Sequence, residues 1–172
     1  MLRTMSDPEV WLRGPVEGVP PPLQPVAHSL LQCREELGRL LDGMAAARIW
    51  RSPGDAPSIG FHVRHAIGSL DRLFTYARGA MLSDAQRDVL AMESVADLNL
   101  GAGDLLSAFD AAMSRAMDQL CDTPEGVLTD RRLVGRAQLR STVIGLLFHA
   151  AEHTQRHVGQ AITTARFIAV DG

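Results

Sequence analysis

The sequence contains no lysine, and all 17 of its basic residues are arginine. That absence excludes Schiff-base chemistry and every mechanism that needs a lysine base. Cysteine is scarce: Cys33 and Cys121 form no CxxC motif, and both are expected to be small buried apolar residues. Aromatics supply 5% of the chain. No apolar run approaches the ~18 residues of a membrane span. The net charge is −3, so the overall balance does not ask for nucleic acid. Met1 to Pro20 holds no apolar core of a secretory signal, and the expectation is a cytoplasmic protein.

What is present is an ordinary globular mixture, 46% hydrophobic and 22% charged over 172 residues. That length suits one domain able to fold without disulfides or metal staples. Residues 1–22 read as an irregular N-terminal arm, because Gly14-Pro15, Gly18 and Pro20-Pro21-Pro22 oppose regular structure. Val10, Trp11, Leu12 and Val16 suggest that this arm packs on the body. Residues 23–172 read as the helical domain.

Helical spacing of Leu30, Leu31, Leu37, Leu40 and Leu41 predicts a first helix from about Leu23 or Pro25 to Leu41. Residues 44–57 read as a connection. Ser58 is a good N-cap for a second helix over Ile59–Arg78, with Gly79 closing it. Its apolar face is Ile59, Val63, Ala66, Leu70, Phe74 and Ala77. Ser83 and Gln86 have capping-box spacing for a short third helix ending near Met92. A fourth long helix is expected over Gly103–Cys121. Residues 122–140 are the least helical part, with room for a hairpin or an extended crossover between Val127 and Leu139. Ser141 is the expected cap of a last helix, Thr142–Phe167. The fold class is therefore all-α, a four-helix bundle with one short extra helix and the irregular arm.

Chemistry concentrates in the six histidines, His28, His62, His65, His149, His153 and His157. The last three are spaced by four on one helix. Residues at i and i+4 share a face, so two such imidazoles can reach one ion. Neutral imidazole nitrogen suits zinc, nickel or iron. At about 100° per residue, His157 and His153 fall nearest the apolar arc of Val143, Leu147, Ala150, Val158 and Ala161, and His149 leans towards solvent. The pair His153 and His157 is thus preferred, with His149 at the rim. A third ligand is available from His62 or His65, and the helical wheel does not choose between them. The structural alternative is that these are core histidines satisfied by their neighbours. His149-Ala150-Ala151-Glu152-His153 also matches the HxxEH pattern of inverted zinc peptidases, where the glutamate activates water. On the wheel Glu152 points to the wet side, away from His153, which counts against that match.

Two stretches carry a family resemblance. Ser58-Ile59-Gly60-Phe61-His62-Val63-Arg64-His65, continuing Ala66-Ile67-Gly68-Ser69-Leu70-Asp71-Arg72-Leu73, resembles the second helix of DinB-like proteins. His153-Thr154-Gln155-Arg156-His157-Val158-Gly159-Gln160 resembles their C-terminal HxxxHxGQ signature. The order of helices matches over about residues 23–168. The resemblance implies a four-helix bundle, often dimeric, holding one divalent metal ion (zinc, nickel or another). By position its ligands are His65, His153 and His157, so the resemblance favours His65 over His62. Characterised relatives include enzymes that use a low-molecular-weight thiol, mycothiol or bacillithiol, as S-transferases or as a maleylpyruvate isomerase. The implied activity is therefore metal-assisted thiol transfer between a small-molecule thiol and an electrophile, in a homodimer. The alternative is a non-catalytic metal-binding or dimerisation module. His62 and His149 are extra to the family pattern and could orient the ligands from behind, be alternative ligands, or be bystanders, and His28 is expected in the core or at the edge of the site behind the ligands. Arg64, Arg72 and Arg156 could meet a carboxylate-bearing thiol, or be solvated helix residues.

Overall fold

The computed structural model describes residues 8–170. Residues 1–7 of the expected arm and residues 171–172 of the expected helical domain lie outside the described residues. Four long helices form the bundle: α1 (Gln24–Leu41), α3 (Ile59–Ala77), α5 (Ala102–Asp122) and α6 (Val143–Val170). Two short helices, α2 (Ala46–Ile49) and α4 (Asp84–Met92), lie in the connections. α3 packs most extensively on α6, α1 on α6 and α5, and α5 on α3. Each long helix thus has two main neighbours, and α1 faces α3 across the diagonal.

The termini explain why the helices begin and end where they do. Pro25 lies in the first turn of α1, where a missing N–H costs nothing. Ser58 Oγ accepts from Phe61 N at 3.1 Å and starts α3. α3 stops with Gly79 N donating to Tyr76 O and Ala80 N to Thr75 O, the paired bonds of a Schellman ending. Gly79 takes φ +79 there, which glycine adopts without a Cβ penalty. Ser83 and Gln86 make the reciprocal capping box of α4. Gly101 N donates to Asp104 Oδ2 at 2.9 Å at the start of α5.

The core runs the length of the bundle. Leu30, Leu37, Leu41, Ile59, Leu70, Phe109, Leu120 and Leu147 are all fully enclosed. Each such side chain contributes roughly 1.5–3 kcal/mol on removal from water. Every residue expected on the apolar face of α3 is buried.

Several expectations need correction. The connection 44–57 contains helix α2, whose Ile49 anchors it in the core with Trp50 following. The arm holds two short 3-10 turns, Val10–Leu12 and Pro21–Leu23. Val10 and Val19 bury, whereas Trp11 and Leu12 face solvent. Of the two alternatives for the stretch after Val127, the structure has the hairpin, antiparallel β1 (Arg131–Val134) and β2 (Leu139–Thr142), which runs three residues past Leu139. β2 takes up Ser141, so α6 is capped one residue later, by Thr142 Oγ1 accepting from Gly145 N at 3.1 Å. Cys33 is buried as expected, but Cys121 is exposed near the end of α5.

Candidate metal centre

The packing of α3 on α6 brings His62 and His65 against His153 and His157. The nitrogens that His65, His153 and His157 can offer an ion all lie within 4.8 Å of one another. The rings are close-packed: the His65–His157 centroids are 4.5 Å apart and the His153–His157 centroids 4.6 Å. His65 Nε2 faces His153 Nε2 at 3.0 Å. Phe61 stacks on His65 with ring planes 13° apart, which restrains the imidazole.

The outer nitrogens differ in what they meet. His65 Nδ1 is 2.7 Å from Glu93 Oε2, and since a carboxylate only accepts, the imidazole donates. His62 Nδ1 and His157 Nδ1 are 3.1 Å apart, so one of the two must donate to the other. His153 Nδ1 is buried and has no hydrogen-bond partner among the described residues. The protein therefore does not supply every polar contact this cluster needs.

Burial sets the charge state. It pushes His62 down, with His65 adding to the effect. It does the same to His153. His157 is pushed down to about 4 by burial, then by His65, His153 and His62. These imidazoles are neutral at physiological pH, the form that ligates metal. An all-imidazole donor set of this kind fits zinc, nickel or a related divalent ion. Three protein ligands would leave coordination positions open.

The remaining candidates are elsewhere. His149 is exposed, its Nδ1 3.3 Å from Glu152 Oε2, and it only flanks His153 at 5.5 Å between ring centroids. His28 Nε2 meets the Gly14 carbonyl at 2.9 Å and ties the arm to α1. Glu152 is engaged by Arg156, which holds its carboxyl below the ordinary range. The HxxEH residues therefore do not gather around one point, and the cluster draws on α3 instead. Arg64 donates to Val95 O at 2.8 Å. Arg72, expected at the surface or towards a ligand, is instead buried against Glu93.

Glu93 was not legible as a site residue, because it falls in a connection outside both motifs. A cavity of about 710 Å³ opens beside His62 and His157, walled by Pro53, Pro57, Phe61 and Phe167.

The pattern of the DinB superfamily matches residues 29–161 of this chain. The chain belongs to the DinB superfamily. A crystal structure of a conserved protein from Enterococcus faecalis shares the fold, with a TM-score of 0.69 over 86% of this chain and 97% of that one, at 16% identity. No curated protein matches the chain. The DinB match includes all three clustered histidines, and no described helix is long and apolar enough to cross a membrane.

Proposed function

We propose that this DinB-superfamily protein binds one divalent ion, zinc or nickel, through His65, His153 and His157, and transfers a low-molecular-weight thiol to an electrophile. The observation that carries the metal-binding part of the reading is the convergence of three imidazoles from two helices within 4.8 Å, and thiol transfer rests on the family resemblance. When bound, the ion would supply the positive charge that favours a thiolate over a thiol.

The chain's own residues divide the remaining work. The three imidazoles hold and orient, and Phe61 limits ring motion. His62 orients the His157 ring through its contact with His157 Nδ1. The open cleft beside His157 admits the electrophile, with Pro53, Pro57, Phe61 and Phe167 as its apolar walls and Arg156 and Gln160 as polar ones. Neither cysteine serves as the nucleophile. Burial pushes the Cys33 thiol up to about 12, and its Sγ is 3.2 Å from Gln155 Oε1. Cys121 lies by the arm, beside Glu17. The thiol therefore comes from outside the chain. A cytoplasmic homodimer is the setting that this reading implies.

A second reading, a metal-binding module that self-associates without turnover, is favoured by the apolar row Val89, Leu90, Met92, Val95 and Leu98, all exposed. Metal-loaded and chelator-stripped protein, assayed with a panel of small thiols and electrophiles, separates the two. Metal-dependent consumption of a thiol supports transfer. Absence of turnover across the panel, with a dimer seen by light scattering, supports the module.

A further inference from the structure

Between Ala77 and Leu105, Glu93 is the one buried residue, and it is a charged one. Helix α4, which precedes it, buries no side chain at all. A carboxylate is costly to enclose unless it is paired and hydrogen-bonded. Here it is fully engaged. Oε2 accepts from His65 Nδ1 at 2.7 Å, and Oε1 accepts from Arg72 Nη1 at 2.5 Å. Arg72 Nη2 reaches Oε2 at 3.4 Å.

The surface of α3 is shaped to receive it. His65, Gly68 and Arg72 stand at i, i+3 and i+7 on one face. A Cβ at Gly68 would lie 2.1 Å from Glu93 Oε1 and 2.6 Å from Arg72 Nη1. Only glycine lets Oε1 come this close to the helix backbone while Arg72 holds that same oxygen and His65 holds Oε2.

We infer that Glu93 is a positioning residue for the metal ligand His65, held in place by Arg72 and admitted by Gly68. The inference rests on the metal-binding reading above. Accepting the Nδ1 proton fixes His65 as the Nδ1–H tautomer and leaves Nε2 bare, turned towards His153. A carboxylate on the far nitrogen also raises the basicity of the ligating one. Arg72 keeps that carboxylate from swinging to solvent. His157 has an imidazole, His62, in the corresponding place, and His153 Nδ1 has no partner there among the described residues.

The test is titration of the full chain and of Glu93→Gln with cobalt(II) and with zinc, against a competing chromophoric chelator. The proposal expects one ion per chain in both proteins, an affinity about 10–100-fold lower in Glu93→Gln, and an altered cobalt absorption spectrum. In a His65→Ala background, Glu93→Gln should change the affinity no further. Wild-type affinity with an unaltered cobalt spectrum in Glu93→Gln would overturn the proposal and leave Glu93 as an anchor for its segment. A wild-type chain that takes up no ion would overturn the metal reading itself, a case recognised before any variant is compared. Should Glu93→Gln fail to fold, long-range proton–nitrogen NMR on the wild type decides. His65 protonated at Nδ1 supports the proposal, and protonation at Nε2 in the metal-free chain overturns it.

Discussion

Replacing Gly60 by alanine sets two effects of opposite sign against each other. In a helix, alanine is favoured over glycine by about 1 kcal/mol. At Gly60, however, a Cβ would stand 2.5 Å from Trp50 Cε3 and Cζ3 and 2.8 Å from Cδ2. Carbon atoms rest at about 3.5–4.0 Å, so the indole would have to withdraw by about 1 Å. It has little room, being 7% exposed, with Nε1 donating to Leu100 O at 2.9 Å. Overpacking of this kind costs about 1–3 kcal/mol, and loosening the indole hydrogen bond about 1 kcal/mol more. The clash wins, for a net loss of about 1–3 kcal/mol. For a chain of this size that lowers Tm by roughly 2–12 °C. Urea unfolding followed by circular dichroism and tryptophan emission measures it. Gly159→Ala, exposed on α6 with nothing within 4 Å of an added Cβ, is the control and should gain stability. A Gly60→Ala protein as stable as the wild type, with unshifted emission, would refute the reasoning. The result bears on the site, because the segment after Trp50 supplies Pro53 and Pro57 to the cavity beside His157.

Two further predictions follow from the site. Glu152→Gln should leave any metal-dependent hydrolysis unchanged, since Glu152 is engaged by Arg156 on an exposed face, and a hydrolysis lost in that variant would restore the HxxEH reading. Chelator-treated protein should lose stability on acidification. Burial, then the neighbouring His65, holds His157 at about 4 in the folded chain against an ordinary 6.5. A folded-state pKa below the unfolded one gives stability that is complete above the ordinary histidine range and lost as pH falls through that window. Urea midpoints at pH 7, 6 and 5 should therefore decline in order, and a flat or rising series contradicts the assignment.

Much of the bundle was legible because its determinants are local. The 3.6-residue period of Ile59, Val63, Ala66, Leu70, Phe74 and Ala77 marks one buried face, and Ser58 and Ser83 mark starts by capping chemistry. The i, i+4 spacing of His153 and His157 likewise needs only one helix. What required the assembled fold is different in kind. A helical wheel carries no inter-helix distances, so His62 and His65 could not be ranked by geometry, and both meet the α6 histidines. Glu93 acquires its role only when the chain after α4 folds back on α3, and Arg72 is buried for the same reason. Thr142 rather than Ser141 caps α6 because strand pairing runs to Arg131↔Thr142. Cys121 lies on the outward side of the last turn of α5, where small size does not ensure burial.

The central claim is that three histidines from two helices hold one ion. Elemental analysis of untagged protein, purified without chelator, tests it beside a His153→Ala/His157→Ala double variant of matched circular dichroism. The account predicts about one divalent ion per wild-type chain and none in the variant. A wild-type chain that takes up no ion even after addition of zinc or nickel, or a variant that retains one, would contradict it.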